Sequence, residues 1–262
     1  MRKAELSSKV YLYPKTNYKL FLSAIFLILA LAGLSLTSCK NAAGSGGGSG
    51  DTGYPDGFTF YVEAGYQWEA AINAINSSGD YKHFYIDLWY DVEIPGYYNS
   101  TFSNYGISIT INGNGYNLYL NDSSTGSLLR IHYDQTIYLQ SVYLVGHSGN
   151  NSPLVNVDGG AFIMQGGSVS GNSNNGGYGG GVSVGNGGSF TMNGGTISGN
   201  SAYYGGGVFV DYGGNFYKYG GTVYGNDALP YYYANSAANG AALYTSSGTV
   251  ENGTLSYYGT WY

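Results

Sequence analysis

The densest acidic group in the chain is Asp87, Asp91 and Glu93, within YIDLWYDVEI (85–94). Two carboxylates held about 5–9.5 Å apart are what glycoside hydrolysis requires. Strand alternation turns Asp91 and Glu93 to one face, although charge on an edge strand serves equally to block edge-to-edge pairing. Asp158 and Asp211 share a repeat position, but Gly185 holds the equivalent place between them. Arg130 and Lys218 have no acid at matching register. His83, His132 and His147 lack metal-ligand spacing, so they read as turn or surface residues, with no metal or other cofactor expected. No Ser/His/Asp arrangement or phosphate-cradling loop is present. The GxG runs lack the strand-to-helix transition of a dinucleotide site, and the G-G-x-G-x-D calcium nonapeptide is absent. A non-catalytic chain is the expectation, with a polysaccharide-active enzyme (lyase or glycosidase) as the alternative.

The elements that would position these residues are written in the composition. Of 262 residues only 9% are charged, while Gly supplies 45 and Tyr 31. A hydrophobic share of 43% and an aromatic share of 17% argue against disorder. A single Cys excludes a disulfide framework. The net charge of −6 disfavours nucleic acid as a partner. Five of the nine cations, Arg2, Lys3, Lys9, Lys15 and Lys19, precede the first apolar run, which leaves Lys40, Lys82, Arg130 and Lys218.

Residues 1–19 are basic and 20–36 (LFLSAIFLILALAGLSL) almost wholly apolar, the layout of an export signal. The next residues, Leu36-Thr37-Ser38-Cys39, resemble the lipobox of bacterial lipoproteins, where small residues precede a cysteine that is acylated and becomes the mature N-terminus. The resemblance implies a signal peptide over 1–38 and a lipid anchor to the membrane through Cys39. It also implies a place in the cell envelope, at the outer membrane or cell surface. Each buried acyl CH₂ contributes about 0.8 kcal/mol to such anchoring. Residues 40–56 are Gly/Ser-rich and predict, together with Cys39, a tether over 39–56 that reaches about 20–25 Å.

From there the chain repeats itself. GGAFIMQGGSVSGNSNNGGYGGGVSV (159–184) matches GGSFTMNGGTISGNSAYYGGGVFV (187–210) and then GGNFYKYGGTVYGNDA (213–228), which an inserted LPYYYANSA separates from NGAALYT (239–245). Fainter copies precede them, with TIYLQSVYLVGH (136–147) aligning with AFIMQGGSVSGN (161–172). Each copy holds three short runs of period-2 alternation between Gly and Asn turns, which reads as three strands. Stacked in register, such copies form an all-β, right-handed parallel β-helix with coils of about 26 residues.

Three inward columns are expected. The first is Ile109/Ile111, Ile137/Leu139, Phe162/Met164 and Phe190/Met192, and the second Leu129/Ile131, Val155/Val157, Val182/Val184 and Val208/Val210. The third is Leu144, Val169, Ile197 and Val223. Asn172, Asn200 and Asn226 should form an amide ladder at the following turn. Trp68, Ile72 and Ile75 lie at helical spacing, which predicts a short N-terminal capping helix. HFYIDLWYDVEIPG (83–96) reads as the first strand pair. One β-helix domain is thus expected over 57–262, with a cap at 57–82, coils at 83–245 and a C-terminal cap at 246–262 that Trp261 helps close.

FTMNGGTISGNSA…GGGVFV (190–210) resembles repeats of spirochaete-type surface lipoproteins with right-handed β-helix domains, and more distantly those of chlamydial polymorphic outer-membrane proteins. That resemblance implies a surface scaffold or adhesin that binds a host, matrix or glycan partner. The Tyr load is the departure from those repeats. Tyr217 and Tyr224 should face outward near Tyr231, Tyr232 and Tyr233 of the insertion, making the Tyr-rich end the expected ligand-binding surface for a glycan or protein.

Overall fold

The computed structural model describes residues 57–94 and 101–252. The expected signal peptide, Cys39, the tether, and residues 253–262 with Trp261 lie outside the described residues. Alternating apolar side chains bounded by glycine fold into short strands, and every pairing between them is parallel. The chain winds into a parallel β-helix of about six turns.

The first sheet has eight strands, stacked as Phe58–Val62, His83–Leu88, Ser108–Asn112, Thr136–Gln140, Ala161–Met164, Ser189–Met192, Asn215–Lys218 and Thr249–Asn252. The second contains Val92–Ile94, Asn117–Leu120, Tyr143–Val145, Ser168–Ser170, Thr196–Ser198 and Thr222–Val223. The third contains Leu129–His132, Val155–Asp158, Val182–Gly185, Val208–Val210 and Leu243–Thr245.

All three expected columns form in the expected register. Ile109, Ile137, Phe162, Phe190 and Phe216 pair rung by rung, and the Phe162–Phe190 and Phe190–Phe216 rings stack at 5.1 and 4.8 Å. Leu129, Val155, Val182 and Val208 make the second column, and Leu144, Val169, Ile197 and Val223 the third. Lys218 takes the inward position of Met164 and Met192. Burial there pushes its ammonium pKa below the ordinary lysine value.

The corner between the first and second sheets depends on glycine at one atom's range. Gly167 has φ +83°, and a Cβ there would lie 1.9 Å from the Val142 carbonyl oxygen. Only glycine meets both constraints.

The helix Gly65–Asn76 buries Trp68, Ala71, Ile72 and Ile75 against the strands Phe58–Val62 and Val92–Ile94, closing the N-terminal end of the core. No helix among the described residues is long and apolar enough to cross a membrane.

Three expectations need correction. Segments 83–88 and 92–94 are not partners: they lie in different sheets and each pairs with the next coil. A parallel solenoid turns a corner where a hairpin would fold back.

The later coils also have a fourth side, a sheet of Ser173–Tyr178, Ser201–Tyr204 and Ser236–Asn239, where only turns were expected. Its strands are polar and Gly-rich, and the first pairing carries an irregular register between Asn174 and Tyr178, so no period-2 apolar pattern marks them.

Finally, Asn226 is exposed and outside the amide ladder. The ladder runs through Asn150, Asn172, Asn200 and Asn235, all buried. The Asn150 amide donates to Asn172 Oδ1 at 2.8 Å, the Asn172 backbone N–H to Asn200 Oδ1 at 3.1 Å, and the Asn200 backbone N–H to Asn235 Oδ1 at 2.8 Å. The repeat register holds to Tyr224 and resumes at Asn235, so the extra residues start ahead of Asn226 and not at Leu229, and Asn226 is carried out to solvent.

Candidate functional site

Inward positions of the first three sheets are filled mainly by Val, Ile, Leu, Phe and Met, so large outward residues become surface. Among the described residues, every exposed large apolar side chain except Trp89 and Leu229 is a tyrosine.

The insertion carries a single 3-10 turn, Tyr231–Tyr233. Its Tyr233 carbonyl accepts the Gly199 N–H at 3.0 Å, which ties the loop to the preceding coil. The Tyr233 ring stacks on Tyr224 at 5.3 Å and 15°, while Tyr232 leans on Tyr233 at 4.3 Å. Hydrogen bonding with Tyr233 raises the Tyr232 hydroxyl above the ordinary phenol range. Tyr231 and Tyr232 are 76% and 70% exposed. Tyr224 and the three loop tyrosines therefore come together. Tyr217 does not join them: it lies half-buried on the first sheet, paired with Thr191 and Glu251.

A second aromatic patch lies where the third and fourth sheets meet, and the sequence reading passed over it. Tyr178 and Tyr204 pair in register and stack at 5.3 Å and 7°. Phe209 packs on Tyr178 at 4.9 Å, and Tyr244 lies 6.0 Å from Phe209 and 4.9 Å from Tyr204. Tyr203 adds an edge at 4.8 Å. The available signal was the spacing of Tyr178 and Tyr204, which equals one repeat.

The fourth sheet stops at Ser173. In the two preceding coils the same side is covered by loops 121–128 and 146–154. Between these loops lies a pocket of 310 Å³ walled by Thr125, Ser127, Asn151 and Ser152, with Arg130 and Asn156 as its sheet residues. Its walls are pinned by Asn150, which accepts from the Gly126 N–H at 2.8 Å and donates to the Gly126 carbonyl at 3.0 Å. His147 Nε2 hydrogen-bonds the Ser124 carbonyl at 2.7 Å, and the Asn172 amide donates to the Ser152 carbonyl at 2.8 Å.

The carboxylates are spread and engaged. Asp91 accepts the Asn117 N–H at 2.8 Å, Glu93 the Asn121 amide, Asp158 the Asn186 amide and Asp211 the Ser246 hydroxyl at 2.7 Å. Burial pushes Asp87 above the ordinary carboxylate range, while the Asn112 hydrogen bond opposes the rise. His83 hydrogen-bonds Ser108 and Thr110, and His147 holds its own turn. Among the described residues no three His, Cys, Asp or Glu side chains gather as a metal set.

No family model matches the chain, and neither a curated protein nor a solved structure is found similar to it.

Proposed function

We propose that the protein is a non-catalytic scaffold of the bacterial cell envelope, tethered through acylated Cys39, that binds a glycan or protein partner through its tyrosine surfaces. The single observation that carries this reading is the locked aromatic loop. Tyr231 and Tyr232 project from a turn held by Gly199 and by the Tyr224 stack. Tyrosine presents a large ring at low conformational cost with a polar tip, and a loop already held in place loses little freedom on binding.

The binding half is tested with Tyr231→Ser and Tyr232→Ser together, leaving Tyr233 as the loop's anchor. Retention of the full-length protein on glycan and matrix arrays should fall by about tenfold, while the melting temperature moves by no more than about 2 °C. Unchanged retention would reject the loop as the contact surface.

The anchoring half rests on the Leu36-Thr37-Ser38-Cys39 resemblance. Cells fed a palmitate analogue should label the wild-type chain and leave Cys39→Ala unlabelled and unprocessed. A wild-type chain without label removes the lipid anchor from the proposal.

A further inference from the structure

Arg130 is the only arginine among the described residues, and it stands on the outer face of the third sheet. Its cross-strand partners are Asn156 on one side and an isolated bridge to Thr101 on the other, so no carboxylate faces it across the ladder. Its Nε is buried and has no hydrogen-bond partner. Arg130 also lines the pocket, so its guanidinium can donate to an acceptor bound there. The amide of Asn156 and the hydroxyls of Ser127 and Ser152 line the same pocket. A planar fork beside neutral hydrogen-bonding groups matches a carboxylate in shape and charge.

The row that begins at Arg130 continues outward along the same sheet as Asn156, Ser183, Phe209 and Tyr244. Three rungs, about 14 Å at the ordinary strand spacing, separate Arg130 from Phe209, which is buried beneath the more exposed rings of Tyr178 and Tyr244. The surface thus passes from one cation through an amide and a hydroxyl to aromatic rings. Sugar rings use those same three contacts: a charge for an acidic substituent, hydrogen bonds for hydroxyls, and an aromatic face for the apolar side of the ring.

We propose that the Arg130 pocket binds the carboxylate of an acidic saccharide, a hexuronate oligomer, whose next rings run along the third sheet onto the Tyr178–Tyr204 band. This rests on the glycan-binding reading above and adds to the Tyr231–Tyr232 loop a second, separate contact surface with a stated ligand class. A densely charged polyanion fits less well. Besides Arg130 the described residues hold only the cations Lys82 and Lys218, and Lys218 is buried.

The test is calorimetric titration of the full-length protein in detergent with a defined hexuronate oligosaccharide and with its carboxyl-reduced, neutral counterpart. Wild type should prefer the acidic oligomer. Arg130→Gln should weaken that binding by about tenfold or more and erase the preference. Asn156→Asp places an internal carboxylate on the rung beside Arg130. It should abolish acidic binding with an unchanged or higher melting temperature, an outcome that misfolding cannot produce. Tyr178→Ala should weaken both oligomers. Equal binding of the two oligomers by wild type, or acidic binding that survives Arg130→Gln, overturns the Arg130 assignment; if Tyr178→Ala still weakens the neutral oligomer, the glycan-binding reading stands without it. No binding of either oligomer overturns the Arg130 proposal, and the arrays described above then decide whether a protein partner remains.

Discussion

Val208→Asp should destabilise the protein by at least about 3 kcal/mol, whereas Ser183→Asp on the neighbouring rung should cost no more than about 0.5 kcal/mol. Val208 is fully buried between Val182 and Leu243 in the second column. A carboxylate there stands between the Val182 and Leu243 side chains in an apolar column, where ionisation is costly and uptake of a proton is the alternative. Ser183 lies on the same ladder as Val182, one residue along, with its side chain on the outer face beside Asn156 and Phe209. Both changes add the same group to the same sheet and differ only in the face that receives it. Urea unfolding of the two variants measures the contrast. Equal losses would mean that the inward and outward phases of the third sheet are wrongly assigned.

Asn200→Ala should cost about 2–5 kcal/mol, while Asn226→Ala should be nearly neutral. The Asn200 amide donates to the Val169 carbonyl at 3.0 Å and to Asn235 Oδ1 at 3.1 Å, and its oxygen accepts the Asn172 N–H. Truncation leaves a carbonyl and an N–H of the corner without partners in a dry site, each at a cost of about 1–3 kcal/mol. Asn226 occupies the aligned place in the sequence but is exposed in the insertion loop. Thermal and urea unfolding of both variants decide between the aligned ladder and the observed one. A costly Asn226→Ala with a silent Asn200→Ala would contradict the observed ladder.

Those two residues also show how far the sequence could be read. Copies that repeat without gaps, such as 161–172 and 189–200, fix their register by identity alone, and the three apolar columns follow from it. An insertion breaks this logic. The nine extra residues fall somewhere between Val223 and Ala241, and two asparagines compete for one ladder site. Only the pairing of Ser236 with Ser201 resolves the competition in favour of Asn235.

The fourth sheet was hidden for a different reason. Its strands are held by backbone hydrogen bonds and stacked tyrosines, not by an apolar face, so SNNGGY (173–178) reads as a turn.

Arg130 was legible as a residue and illegible as a site. A search for paired acids dismisses a lone cation. The pocket beside it comes from loops of two successive coils, whose approach depends on Asn150 bridging to Gly126. The tyrosine loop was partly legible. Its proximity to Tyr224 follows from chain order, whereas the placement of Tyr217 on another sheet follows from a corner at Gly220-Gly221 that the aromatic count conceals.

Binding and turnover can be read in one sample. Full-length protein is mixed with hexuronate and neutral polysaccharides, and the bound fraction is followed alongside new reducing ends and unsaturated uronates. A scaffold gives saturable, reversible binding with products at the level of the protein-free control. Product that accumulates with time and in proportion to protein, and disappears with Asp91→Asn and Glu93→Gln, would contradict a non-catalytic role.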